Sequence, residues 1–274
     1  CSCSFFGVTG INGIREAMKK LGFADAADAA EGASLMISQY RALFAEQKEP
    51  GIMISSACPV IVQLVKKHYP TLIDNMSTTI SPMCAVSRML KAIDPETVTV
   101  FIGPCMAKKS EAADKSIENN ADYVLTFGEA IEMMRGKEVE LEPAEETKQE
   151  GSVFGKRFGN GGGVTNAVIE CFKEKGESAD VKVARCSGAA EVKKALLLLK
   201  VGRLPEDFIE GMMCQGGCVG GPSNLKQEMT FKKDRDAVIA KADGRGVWEN
   251  LKNYDMDSFS MHRSFAKKED AENK

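Results

Sequence analysis

Gly211-Met212-Met213-Cys214-Gln215-Gly216-Gly217-Cys218-Val219-Gly220-Gly221-Pro222 sets two cysteines, with three residues between them, among five glycines. Glycine at this density costs backbone entropy and is kept where the chain must come close to something bulky. Thiolates in such a turn are soft metal ligands, and iron is the first suspect. Two core cysteines in a tight turn are the plain alternative.

Upstream, the same device occurs twice more. Residues 51–55 form a short apolar run that reads as a buried strand. It is followed by Ser56-Ala57-Cys58-Pro59 and a helical pattern over 60–68. Pro59 suits the first turn of that helix, where a missing N–H costs nothing. Residues 97–103 read as a second buried strand and run into Gly103-Pro104-Cys105-Met106-Ala107-Lys108-Lys109-Ser110-Glu111. In open α/β sheets, ligands gather at the carboxyl ends of strands, and a helix start there favours a thiolate or an anionic cluster.

The rest of the pattern is α/β. Helices are predicted over 11–21, 33–47, 129–134, 164–175 and 189–200, and another opens at Ser81-Pro82 and runs through Cys84, Val86, Met89 and Leu90. Strands are predicted over 123–127 and 181–184. The glycine run at 158–163 lacks the strand and the Lys-Ser/Thr of a phosphate loop and reads as a turn packed against the cysteine site. Residues 138–151 read as an acidic, mobile surface loop and 266–274 as a disordered charged tail. From about Asn224 the chain mixes charge with a few apolar anchors such as Val238 and Trp248.

The chain has 274 residues, of which 43% are hydrophobic and 27% charged, with a formal net charge of -3. That supports a sizeable core and offers no basic footprint for nucleic acid or an anionic membrane. No apolar run reaches the roughly 18 to 20 residues of a membrane span, and the longest uncharged stretch, 51–65, contains Ser, Cys, Pro and Gln. No secretory signal is evident, so a cytoplasmic protein is expected. The chain opens on Cys1 rather than methionine, which suggests a processed, truncated or engineered terminus. Nine cysteines in odd, scattered positions do not suggest a disulfide framework. The two histidines, His68 and His262, are expected at the surface, and Cys171 and Cys186 in the core.

Cys58, Cys105, Cys214 and Cys218 stand out, each in a Gly/Pro-rich turn beside a predicted element. Four thiolates match either tetrahedral zinc or a cubane iron–sulfur cluster. Two single, distant ligands need a large fold to assemble them and favour a buried redox cluster.

Ser56-Ala57-Cys58-Pro59, Pro104-Cys105-Met106-Ala107-Lys108-Lys109-Ser110-Glu111 and Met212-Met213-Cys214-Gln215-Gly216-Gly217-Cys218-Val219-Gly220-Gly221 resemble the three signature segments of the H-cluster domain of [FeFe]-hydrogenases. The resemblance runs from about Phe5 to Gly221, and the domain it describes takes in 1–274, without an N-terminal ferredoxin-like part. It implies an α/β fold of two lobes, each a parallel four-stranded sheet flanked by helices, with the active cluster between them. It also implies that Cys58, Cys105, Cys214 and Cys218 hold a [4Fe–4S] cubane, with Cys218 bridging to a diiron unit carrying CO, CN and azadithiolate ligands. Lys108 would contact a cyanide, Met212 would line the diiron site, and Ser56, Ala57 and Pro104 would flank the cofactor. Implied partners are H2 and protons, a redox partner such as ferredoxin or another iron–sulfur domain, and a maturation protein that delivers the diiron unit.

The sequence departs from the family pattern in four places. Ala57 stands where catalytic members carry a proton-relaying cysteine, and Gly103 replaces a methionine. Pro222 interrupts a glycine run, and Ser38-Gln39 replace an acidic pair. These changes resemble the sensory branches of the family. Three functions therefore compete: a slow or hydrogen-sensing hydrogenase, a non-catalytic hydrogenase-like protein that holds only the cubane, and a zinc-stabilised α/β module. With the usual relay missing, Cys84 is the expected substitute, because a thiol near a helix start has its thiolate favoured.

Overall fold

In the computed structural model the described residues are 11–46, 51–142, 144, 151–178, 180–224, 228–240, 242, 244–252 and 254–265. The acidic stretch expected to be mobile lies partly outside them, and the 266–274 tail and Cys1 and Cys3 lie wholly outside. The described helices are α1 Asn12–Leu21, α2 Ala30–Glu46, α3 Pro59–His68, α4 Pro82–Ile93, α5 Ala107–Ala112, α6 Phe127–Gly136, α7 Val153–Arg157, α8 Gly163–Glu174, α9 Ala189–Lys200, α10 Glu228–Ala240 and α11 Val247–Leu251. The strands are β1 Met53–Ile54, β2 Val100–Gly103, β3 Tyr123–Thr126, β4 Val183–Ser187 and β5 Phe208–Met212. Among the described residues no helix is long and apolar enough to cross a membrane.

All strand pairs are parallel, in the order β1-β5-β4 in one sheet and β2-β3 in the other. Helices flank both, as the α/β pattern predicts. Alternation along the strands divides the first sheet cleanly. Met53, Phe208 and Met212 enter one apolar cluster with α2, α4 and α8, whereas Ile54, Ile209 and Cys186 enter another with α3 and α9.

The described strands fall short of four per sheet. The first sheet gains a fourth position only as a single parallel bridge from Ile54 to Met76, supported by Ser77 N donating to Ile54 O at 2.9 Å. It goes no further because Ser77 and Thr79 turn the chain away. Ser77 Oγ donates to Thr79 Oγ1 at 3.1 Å and accepts from Thr79 N at 3.2 Å. This is local side-chain bonding that competes with a ladder.

β5 is the central strand, and all five of its residues are buried, Glu210 among them. Glu210 accepts from Val164 N at 3.2 Å, from Thr165 N at 2.9 Å and from the Thr165 hydroxyl. A buried carboxylate thus caps α8, whose own N-cap residue, Gly162, has no side chain to do so. This fixes the glycine turn before α8 relative to the strand that leads into the cysteine pair. The chain after Asn224, where the residue pattern offered no element, forms α10 and α11. Glu174 accepts from Val247 N at 2.8 Å and Trp248 N at 3.0 Å, and Glu31 accepts from Asn250 Nδ2 at 2.7 Å. The start of α11 is thus held by distant side chains that no local periodicity reports.

Candidate metal centre

Each singled-out cysteine follows the carboxyl end of a parallel strand. β1 leads through Ser55 and Ser56 to Cys58, the N-cap of α3, with Pro59 in the first helical position as expected. β2 leads through Pro104 to Cys105, whose carbonyl accepts from Lys108 N at 3.3 Å. β5 leads to Cys214 and, after the turn at Gly216 and Gly217, to Cys218 at the head of a 3-10 turn.

The structure brings these four thiols into one electrostatic neighbourhood. Burial, aided by Cys58, Cys105 and Cys214 and opposed by Lys108, pushes the Cys218 thiol up to about 12. Cys214 is raised by burial and then by Cys58 and Cys105. All four are free and half-buried. Among the described residues no three Cys, His, Asp or Glu side chains close around a single ion.

Backbone contact sets the thiol positions. Cys218 N donates to Gly159 O at 2.8 Å and Gly161 N donates to Gly216 O at 3.2 Å. Asn160 and Gly217 form an antiparallel bridge, so the 158–163 turn packs on the cysteine loop as predicted. A Cβ on Gly221 would lie 2.7 Å from Pro104 O, which shows how closely the Cys218 loop meets the Cys105 turn.

Lys108 is buried beside this group. Its Nζ donates to Ser81 Oγ at 2.7 Å and Glu111 Oε2 at 2.5 Å. An ammonium has three N–H groups, so one remains for a further acceptor. Burial works against its charge, yet Glu111, Cys84 and Cys105 together hold its pKa above the ordinary lysine value.

Residues 9–222 match the family described as iron only hydrogenase large subunit, C-terminal domain. The chain belongs to this family. Iron hydrogenase 1 of Clostridium pasteurianum is 28% identical over 87% of this chain and 50% of its own length. Cytosolic Fe-S cluster assembly factor NAR1 of Eremothecium gossypii is 30% identical over 40% of this chain and 25% of its own. The chain spans about half the length of the curated hydrogenases it matches. A variant of [FeFe]-hydrogenase HydA1 from Chlamydomonas reinhardtii shares the fold, with a TM-score of 0.71 at 20% identity over 93% of this chain and 87% of that one. The chain is therefore a hydrogenase-like domain, with relatives among both hydrogenases and iron–sulfur assembly factors.

The other residues singled out in this hydrogenase-like domain lie close by. Ala57 and Met212 share one apolar cluster with Cys84, against which Cys218 packs. Pro104 is buried at the exit of β2. Ser56 is tied into a buried hydroxyl group: its N donates to Tyr40 Oη at 3.0 Å and its Oγ to Thr79 O at 2.5 Å. Ser38 donates to Leu35 O at 2.7 Å within its own helix. At Gly103 the Phe101 ring stands 2.6 Å from where a Cβ would be, occupying the room of a longer side chain.

Cys84 departs from expectation. It is buried, accepts from Ser81 Oγ at 3.5 Å, and is pushed up to about 11 by burial and by Glu111. Burial outweighs the helix start, so the group is a thiol rather than a thiolate.

Residue pattern alone missed Ser81, which touches Cys84, Lys108 and Glu111 at once. Its position at the N-cap before Pro82 was visible, but its partners come from other elements. It also missed Glu210, although an acid inside the apolar run 208–213 was a signal.

The chemistry of these residues fits an iron–sulfur cluster. The donor set is four soft thiols that follow strand ends, and the buried Lys108 has an N–H to spare within electrostatic reach of Cys105 and Cys218.

Proposed function

We propose that this chain is the H-cluster domain of an [FeFe]-hydrogenase of slow or hydrogen-sensing type, which interconverts H2 with protons and electrons. The observation that carries this reading is Lys108. A cubane alone has no use for a buried ammonium within electrostatic reach of two of its ligands, whereas an anionic cyanide does. In this reading Cys58, Cys105, Cys214 and Cys218 hold the cubane, Cys218 also tethers the diiron unit, and Met212 packs against it. When bound, the diiron unit supplies an open iron and a pendant amine for cleaving hydrogen, and the cubane supplies the electron store.

The chain's own residues then orient the group, exclude water and hold protons. Ala57 and Met212 keep that side dry. Ser81 Oγ lies 3.0 Å from Glu111 Oε2 and 3.5 Å from Cys84 Sγ, so a proton on Cys84 can reach a buried carboxylate through one hydroxyl. This supplies a route where Ala57 offers none. A ferredoxin or a further iron–sulfur domain as electron partner, a maturation protein for the diiron unit, and a cytoplasmic location complete the proposal.

The test is infrared spectroscopy after the cubane is reconstituted and the diiron cofactor is supplied. Bands of bound carbonyl and cyanide are expected. A full cubane without those bands would instead favour the second reading, a cubane-only protein akin to the assembly factors, for which Ala57 is the supporting observation.

Two substitutions refine the site. Lys108→Ala should leave the cubane intact and weaken diiron retention on the order of 10- to 100-fold, as lost support around a metal site typically does. Normal retention would remove Lys108 from the site. Cys84→Ala should lower hydrogen evolution without altering the infrared spectrum. The loss should be smaller than the roughly 10²-fold expected of an acid that touches the reacting atoms. An unchanged rate would mean that protons bypass Cys84.

A further inference from the structure

Glu111 has two cations, not one. Its Oε2 takes Lys108 and Ser81, while its Oε1, buried and without a hydrogen-bond partner, lies 4.0 Å from Arg263 Nη1. Arg263 is itself buried, at 6% exposure, and comes from the far end of the described chain. It lies outside the 9–222 stretch that matches the family.

The segment that carries Arg263 is laid down by backbone bonds. Ile80 N donates to Met261 O at 2.9 Å and Arg263 N donates to Thr78 O at 2.8 Å. Thr78 Oγ1 meets His262 Nδ1 at 2.9 Å, and Arg88 Nη1 donates to Ser260 O and His262 O. This strap therefore pairs with the three residues that lead into Ser81, and it also delivers a guanidinium to Glu111. On its outer side Arg263 Nη2 donates to Asp114 Oδ2 at 3.3 Å and its guanidinium stacks on Phe265. Asp114 also meets Lys66 at 3.5 Å.

The geometry points to Arg263 as the positioning residue for Lys108, through Glu111. A buried carboxylate with one cation short is costly, and it draws in water or swings toward another charge. With Arg263 in place, Glu111 is held from one side and presents its other oxygen to Lys108 and Ser81. Lys108 is then held between a fixed carboxylate oxygen and Ser81, with its third N–H in a fixed direction; without Arg263 the carboxylate shifts, water enters and the Lys108 amine is released to solvent. Arg263 touches none of the reacting groups and acts only through Glu111. Its bearing on the cofactor rests on the hydrogenase reading above.

The test needs a readout that does not depend on the cofactor. In the full chain, lysine amines are acylated with a small reagent and mapped by peptide mass, with Lys91, paired with Asp122 at 2.8 Å, as the internal reference. Arg263→Gln is expected to raise Lys108 labelling about threefold or more over Lys91, and Arg263→Lys to restore most of the protection. Unchanged Lys108 labelling in Arg263→Gln overturns the assignment. So does an Arg263→Lys protein that labels like Arg263→Gln, because packing rather than charge would then be responsible. Should Arg263→Gln fail to fold, Glu111→Gln decides the matter. It should speed amide exchange at Arg263 and Ile80, and unchanged exchange there overturns the link. In diiron-loaded protein the cyanide bands should shift in Arg263→Gln and return in Arg263→Lys; cyanide bands unmoved in Arg263→Gln would limit Arg263 to the unloaded protein and overturn its role toward the cofactor. If the wild type shows no such bands, the hydrogenase reading falls while the labelling result still decides Arg263.

Discussion

Cys218→Ala is expected to give a folded protein that retains neither the diiron unit nor a complete cubane. The loop keeps its shape, because Cys218 is held through its backbone N–H to Gly159 O and through the carbonyl that Gly221 N meets at 3.1 Å. Only the sulfur is lost, and it is in electrostatic contact with the three other thiols and with Lys108. Cys58→Ala removes a cubane ligand but not the proposed tether, so it serves as the comparison. The Cys218 loss should exceed the roughly 10- to 100-fold of a residue that merely supports a ligand. Iron and sulfide per chain and the carbonyl and cyanide bands are the measurements. Diiron bands that persist in Cys218→Ala would assign the tether elsewhere.

How much of this site could be read from residues alone depends on the range of the interaction. The strand-to-cysteine turns at Cys58 and Cys105 and the loop at Cys214 and Cys218 are local features, written in apolar runs ended by Pro and Gly, and the structure places them where the pattern did. Pro59 at the start of α3 and the 158–163 turn against the cysteine loop follow the same logic. The charges that surround the thiols are not local. Lys108 meets Glu111 one helical turn away, but also Ser81 and, through Glu111, Arg263, whose approach is decided by the backbone pairing of the strap. Cys84 shows the limit in another way. Its position at a helix start was read correctly, yet its protonation is set by burial against α2 and by Glu111, which the helix start does not reveal. The narrowness of the first sheet has a similar origin, since the Ser77 and Thr79 hydroxyls bond each other where an apolar count would extend the pairing.

Gly217→Ala is expected to cost the protein its cluster while leaving most of the fold. Gly217 has φ +95°, in the left-handed region, and an added Cβ would lie 2.4 Å from Gly159 O and 2.8 Å from Gly161 N. Both are backbone atoms, so no side-chain rotation relieves the contact. The 159–161 turn cannot retreat easily either, because Glu210 holds the start of α8 just beyond it. The strain must therefore open the bonds from Cys218 N to Gly159 O and from Gly161 N to Gly216 O. Left-handed strain and two lost backbone bonds together cost on the order of 3 kcal/mol. That is below the roughly 5 to 15 kcal/mol that holds a domain folded. The damage falls on Cys214 and Cys218, whose sulfurs move relative to Cys58 and Cys105. Gly176→Ala separates the two causes: Gly176 has φ +71° but nothing within 4 Å of a new Cβ, so it carries the conformational strain alone. Gly217→Ala should lower the urea midpoint more than Gly176→Ala does and should lose iron on reconstitution, whereas Gly176→Ala should keep it. Equal midpoints with full iron content in both would show that the contact between the turn and the loop does not set the positions of the thiols.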